Sequence, residues 1–114
     1  SRGAEACARV VAQRDRGAVP VLVACLSGPA RLRARDTLAR LGDAIAGTLG
    51  DLLVDRREVA RLRRDVALVL GRIGTPAALA QLQRIERDDL PALRSIALRG
   101  LDAARKRGQL VLVD

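Results

Sequence analysis

The chain has 114 residues, of which 49% are hydrophobic, a formal net charge of +8, and no His, Met or aromatic residue. The length fits one domain, and a core built from Leu, Val, Ile and Ala favours helices. Without His the chain lacks the commonest general base and metal ligand. We therefore predict no metal, no cofactor and no enzymatic activity.

The hydrophobic pattern predicts seven amphipathic or buried helices along the chain. In chain order they cover residues 3–14, 18–26, 30–41, 45–54, 61–73, 77–87 and 92–107. Gly74 is the predicted C-terminal cap of the fifth helix, and Thr75 is the predicted N-cap of the sixth, followed by Pro76. Gly47 and Gly50 lie inside the fourth helix, where each costs up to about 1 kcal/mol relative to Ala. We predict that both permit close helix contact.

The helices repeat at a spacing of about one helical hairpin. Leu38 aligns with Leu70 at a shift of 32 residues, and Leu70 aligns with Leu101 at a shift of 31. In such an array each hairpin is buried only against its neighbours. The predicted organisation is an N-terminal helix or cap at 1–17, three repeats at 18–43, 44–75 and 76–108, and a tail or linker at 109–114.

The best copy of the repeat is RLRRDVALVLGRIGT at 61–75, and weaker copies lie at 31–43 and 93–105. These segments resemble the HEAT-like repeats, specifically the short bacterial type shared with phycobilisome lyase-like proteins. The resemblance covers residues 18–107. It implies an all-α solenoid of three helical hairpins plus an N-terminal helix, with a right-handed superhelical turn. The second helices of the hairpins would line the concave face that holds the partner, while the family leaves the function open.

A narrower resemblance is carried by GTLGDLLVD at 47–55, by Gly74 with Thr75, and by ALRGL at 97–101. These segments look like the HEAT segments that follow ATP/ADP-translocase-like membrane domains in some bacterial proteins. The resemblance implies the soluble regulatory module of a membrane-attached parent. No stretch of this chain is long and apolar enough for a transmembrane segment. Because the chain starts at Ser1 and lacks Met, we expect a fragment of a larger protein. We also predict a cytoplasmic location, with the cytoplasmic part of a membrane protein as an alternative.

Positive charge is concentrated in the predicted second helices and in the turn before one of them. The net charge is +3 over 31–40, +4 over 56–64 and +3 over 99–107. If these helices share one face, their potential favours an acidic or polyanionic partner. The candidate binding residues on that concave face are Arg33, Arg40, Arg61, Arg64, Arg72, Arg99 and Lys106.

The same charges also have a structural interpretation. Arg accounts for 20 of the 21 basic residues, as expected of a GC-rich genome that places Arg wherever a solvated cation is wanted. Arg31, Arg63 and Arg94 occupy one repeat position at the edge of the apolar face. We predict that this arginine ladder is structural and pairs with neighbouring repeats or with acids in the turns, such as Asp55, Glu58, Asp88 or Asp89.

Cys7 and Cys25 lie in small, apolar sequence contexts, EACARV and LVACLS. Free cysteines in such contexts pack as small hydrophobic residues, so we expect two buried thiols. A disulfide between adjacent helices is the alternative, and it is disfavoured in a reducing compartment.

These patterns together predict a scaffold whose second helices bind an acidic or extended protein partner. Asp36, Asp65 and Asp102 have no paired carboxylate at a catalytic spacing, and no phosphate-binding or nucleophile motif occurs. A lyase activity would need its own pocket residues. Two alternatives stay open: the regulatory transporter module, and a basic groove for nucleic-acid backbone, without the aromatic residues that stack on single strands.

Overall fold

The computed structural model describes residues 19–108. Within these residues the chain is all-helical. The α-helices are α1 (Val19–Cys25), α2 (Arg31–Leu41), α3 (Ala46–Val54), α4 (Ala60–Ile73), α5 (Pro76–Gln83) and α6 (Pro91–Lys106). A 3₁₀ turn, Gly42–Ile45, joins α2 to α3. The all-α class is confirmed for this part of the chain, while the helix predicted at 3–14 and the tail at 109–114 lie outside it.

The junction between α4 and α5 has the predicted cap chemistry. Gly74 ends α4 in the left-handed conformation, with φ of 65°, which glycine adopts without steric penalty. Thr75 begins α5 as its N-cap, where its Oγ1 accepts a hydrogen bond of 3.3 Å from the backbone N–H of Ala78. Helix α5 is shorter than predicted, because it ends at Gln83 and residues 84–87 form a turn.

The two glycines of α3 have different surroundings. A Cβ on Gly50 would overlap the side chain of Gln81, so α5 lies in close contact with α3 at this glycine. Nothing lies within 4 Å of the position where a Cβ on Gly47 would stand. The prediction of close contact is therefore confirmed for Gly50 and wrong for Gly47.

Helix α4 is the centre of the arrangement. It packs against α2, α3, α5 and α6, while α1 packs on α2, α3 on α5, and α5 on α6. These contacts place α2, α4 and α6 side by side in one layer, with α3 and α5 behind them. The buried face of α4 includes Val66, Val69 and Leu70, as the helical period predicts.

Polar contacts between α2 and α4 show that the two helices run in the same direction. Asp36 in α2 accepts a hydrogen bond of 2.9 Å from Nη2 of Arg72 near the end of α4. Asp43 lies just after α2 and Thr75 lies just after α4, and Oδ1 of Asp43 accepts a hydrogen bond from the hydroxyl of Thr75. The ends of α2 and α4 therefore lie next to each other, and so do their starts.

Cys25 departs from the sequence prediction. The structure contains this residue in a disulfide, and no free cysteine occurs among the described residues. The other cysteine of the sequence, Cys7, lies outside the described residues. The expectation of a free, buried thiol is thus wrong for Cys25.

Candidate functional site

Two adjoining grooves run along the exposed side of α4. The proximal groove, about 510 Å³, lies where α2, α4 and α6 begin, and its charged lining residues are Arg31, Arg35, Arg61, Arg64 and Asp65. The distal groove, about 560 Å³, lies between the second half of α4 and α6, and its charged lining residues are Arg72, Arg99 and Arg107. Leu68 lines both grooves, so they form one continuous surface.

The proximal groove is positive for two reasons. Four arginine side chains and one carboxylate line it. In addition, the starts of three helices of 11, 14 and 16 residues meet there. Each helix start carries a partial positive charge from aligned peptide dipoles. The groove therefore attracts anions more strongly than the side-chain charges alone would.

The seven candidate binding residues fall into two groups in the structure, those that line the grooves and those that do not. Four of them line the grooves, namely Arg61 and Arg64 in the proximal groove and Arg72 and Arg99 in the distal groove. The other three, Arg33, Arg40 and Lys106, are exposed and line neither groove.

Arg40 and Lys106 are paired along their own helices instead. Arg40 pairs with Asp36 at 3.0 Å, and Lys106 pairs with Asp102 at 3.3 Å, each four residues earlier on the same helix. Exposed pairs of this kind contribute only a few tenths of a kcal/mol, about 0.3 to 0.5. We therefore exclude Arg33, Arg40 and Lys106 from the candidate site.

Sequence reasoning missed three residues that line the grooves: Arg35, Arg107 and Asp65. Helical spacing could have identified Arg35, because it follows Arg31 by four residues and so lies on the same face of α2. The helical period predicts that Asp65 lies on the polar, exposed face of α4. That prediction is wrong, because Asp65 is only 5% exposed.

Asp65 shares the proximal groove with apolar residues of the neighbouring helix α6. Leu90, Pro91 and Leu93 at the start of α6 line the groove beside it. Within residues 19–108, Oδ2 of Asp65 is the buried side-chain polar atom that lacks a hydrogen-bond partner. Burying a carboxylate oxygen without a partner is unfavourable, so this atom is an exception that requires an explanation.

Arg63 makes the structural pairing predicted for the arginine ladder. Its side chain is 5% exposed, and Nη2 lies 2.5 Å from Oδ2 of Asp88 in the turn before α6. Its Nε also donates a hydrogen bond of 2.8 Å to the carbonyl of Leu53, at the end of α3. Arg63 thus ties α4 to the end of α3 and to the turn after α5.

The other two ladder arginines differ from Arg63. Nη1 of Arg94 donates to the backbone carbonyl of Asp88 at 2.9 Å and leaves the carboxylate to Arg63. Arg31 departs from the prediction, because it makes no ion pair within 19–108 and lines the proximal groove. Arg63 and Arg94 therefore both bond to Asp88 in the turn before α6, and Arg31 does not.

The Asp88 carboxyl group predicts how stability depends on pH. Burial raises the pKa of this carboxyl group. The backbone N–H of Leu90 and the guanidinium of Arg63 lower the pKa by a larger amount, so it falls below the ordinary value of 3.8. Because the folded-state pKa is below the unfolded-state value, the ionised carboxylate stabilises the fold above that value. This contribution is lost as the pH falls through the folded-state pKa.

We expect Asp88→Asn to lower the free energy of unfolding near neutral pH by about 2 kcal/mol or more, since a charged hydrogen-bonded group is lost. The difference from the wild type should shrink as the pH falls below 3.8, the ordinary value. Urea unfolding at several pH values measures this. Asp89→Asn is the control, because that side chain is 77% exposed. A difference for Asp88→Asn that is constant with pH would contradict the expectation.

Comparison of the chain with protein-family models, with curated proteins and with solved structures finds no match. The resemblance to HEAT-like repeats therefore stays a prediction. None of the helices within 19–108 has the length and apolar character needed to cross a membrane. In the same part of the chain, no three Cys, Asp or Glu side chains are placed to hold a metal ion.

Proposed function

We propose that this chain is a non-catalytic scaffold of HEAT-like repeats that binds an extended, acidic segment of a protein partner along α4. In this proposal the hairpins α1 with α2, α3 with α4, and α5 with α6 are successive units of a right-handed solenoid. The scaffold belongs to a larger bacterial protein and has a regulatory role. The observation that carries the proposal is the row of arginines along the two continuous grooves.

The charges favour a carboxylate-bearing partner. Arg61 and Arg64 line the proximal groove and make no ion pair with any residue in 19–108. A guanidinium offers a planar fork of N–H donors that matches a carboxylate in a bidentate pair. Two such groups without partners, close to three helix starts, are placed to receive acidic side chains.

The dimensions favour an extended segment. Helix α4 has 14 residues, and a rise of about 1.5 Å per residue makes it about 21 Å long. An extended peptide rises by about 3.3 Å per residue, so about six residues would follow the grooves from end to end. Leu68 and Ile96 add apolar surface along this path, and Gly71 and Gly100 line it without side chains.

Charge reversal in the proximal groove tests the proposal. We expect Arg61→Glu with Arg64→Glu to weaken binding of a fluorescein-labelled hexaglutamate peptide by about tenfold or more, since charge-assisted hydrogen bonds are lost. Fluorescence anisotropy at low and at physiological salt measures the affinity, and added salt should weaken it. The matched control is Arg33→Glu with Arg87→Glu, which makes the same charge change at two exposed residues outside both grooves.

Equal loss of affinity in both double variants would show that the overall charge, and not the groove, attracts the peptide. A labelled DNA duplex, titrated in parallel, tests the nucleic-acid alternative. If the duplex binds more tightly than the peptide and depends on Arg61 and Arg64, the partner is a nucleic-acid backbone and the proposal fails.

A further inference from the structure

We propose that the bound segment also donates a backbone N–H hydrogen bond to the carboxylate of Asp65, so that the proximal groove selects a peptide over a polyanion that only accepts hydrogen bonds. This inference rests on the proposed function and adds how the groove distinguishes a peptide from other polyanions. It is based on one side chain, that of Asp65. The positive charge of the groove does not explain why a carboxylate lies there.

Asp65 is a buried carboxylate placed among arginines without pairing to them. It is 5% exposed, it lines the proximal groove together with Arg31, Arg61 and Arg64, and its Oδ2 has no hydrogen-bond partner. An ionised carboxylate only accepts hydrogen bonds. A group that pairs with the Asp65 carboxylate must therefore be a donor, and it must approach from the proximal groove, which this residue lines.

An acidic peptide supplies both kinds of group that the proximal groove requires. Its carboxylates pair with Arg61 and Arg64, and its backbone has one N–H donor per residue within reach of the same site. A phosphodiester backbone or an inorganic polyphosphate has acceptor oxygens along its whole length. Such a chain would bring negative charge against Asp65 and offer its carboxylate no donor.

The inference and simple electrostatics predict opposite effects for one substitution. Asp65→Leu replaces the carboxylate by an apolar side chain of similar shape and makes the groove more positive by one charge. Electrostatic attraction alone would then tighten the binding of every anion. Loss of the acceptor carboxylate would instead weaken binding of the peptide while leaving polyphosphate binding equal or tighter.

The experiment compares three probes by fluorescence anisotropy: labelled hexaglutamate, the same peptide N-methylated at every internal amide, and labelled polyphosphate. We expect the wild type to prefer the unmethylated peptide by about tenfold, the usual effect of one hydrogen bond to a charged group. Asp65→Leu should bind hexaglutamate about tenfold more weakly and lose this preference.

Two controls keep the result interpretable. Asp102→Leu removes the same charge from an exposed site outside both grooves, and it should leave the preference for the unmethylated peptide unchanged. Thermal unfolding should show Asp65→Leu to be folded, with a higher midpoint than the wild type, because a buried oxygen without a partner has been removed.

The outcomes separate the two proposals. If hexaglutamate does not bind the wild type, the proposed function fails and this inference fails with it. If hexaglutamate binds, but Asp65→Leu binds it as tightly or more tightly, the inference alone is overturned. A wild type that does not distinguish the methylated from the unmethylated peptide also overturns it, and this comparison needs no variant.

Discussion

Replacing Arg63 with Met is expected to lower the free energy of unfolding by about 3 to 5 kcal/mol, the usual effect of removing one partner of a buried ion pair. The carboxylate of Asp88, 9% exposed, would lose the guanidinium that neutralises it. The carbonyl of Leu53 would lose its hydrogen bond from Nε. Because small domains have a total stability of only about 5 to 15 kcal/mol, this variant should be close to unfolding.

Urea unfolding followed by circular dichroism measures the effect, with Arg64→Met as the control. Arg64 is the next residue on α4 but is exposed, and its replacement should change stability by no more than about 0.5 kcal/mol. Adding Asp88→Leu to Arg63→Met should restore part of the loss, because the unpaired buried charge is removed. Equal effects for Arg63→Met and Arg64→Met would refute the structural role of Arg63.

Leu70→Ala should lower the free energy of unfolding by about 2 to 5 kcal/mol. Leu70 is completely buried in α4, the helix that packs against α2, α3, α5 and α6. The substitution removes apolar atoms from the core and leaves a cavity that neighbouring helices can fill only in part.

Leu98→Ala provides the comparison for Leu70→Ala. Leu98 lies in α6 and is 57% exposed, so the same change in side chain should alter stability by less than about 0.5 kcal/mol. Chemical denaturation of both variants gives the two values. If Leu70→Ala were as mild as Leu98→Ala, the central position of α4 in the core would be in doubt.

Arg63 and Arg64 illustrate how one helix combines a structural and a candidate binding role. Successive residues of an α-helix differ by about 100° in direction. Arg63 therefore lies against the end of α3 and the turn after α5, while Arg64 lies in the proximal groove. If the proposed function holds, substitutions at these neighbouring positions separate stability from binding.

Much of the fold was predictable because its signals are local. Apolar residues at the helical period marked the buried faces, and Leu38, Leu70 and Leu101, aligned by the repeat, are each no more than 1% exposed. Gly74 and Thr75 marked a helix end and a helix start, because left-handed backbone and N-capping depend on the residue itself. The end of α5 was predicted less well, since the buried Ile85 continues the helical pattern into a turn.

The candidate site was predictable only in part. The pairing of Arg63 with a turn acid followed from its position at the edge of the apolar face. Nothing in the sequence distinguished the groove residues Arg61 and Arg64 from Arg33 or Arg40, because all four are arginines on polar helix faces. Whether such a side chain lines a groove depends on the neighbouring helix, and the period of a single helix does not contain that information.

The sequence by itself determined the helices, two of their caps and the apolar residues of the core, because periodicity and capping act within a few residues of the chain. The tertiary structure alone decided that α2, α4 and α6 begin at one groove, and that Arg31, Arg61 and Arg64 meet there. It also decided that Asp65 is buried without a partner. The physical reason is that burial and pairing of a surface helix face depend on packing between residues distant in the chain.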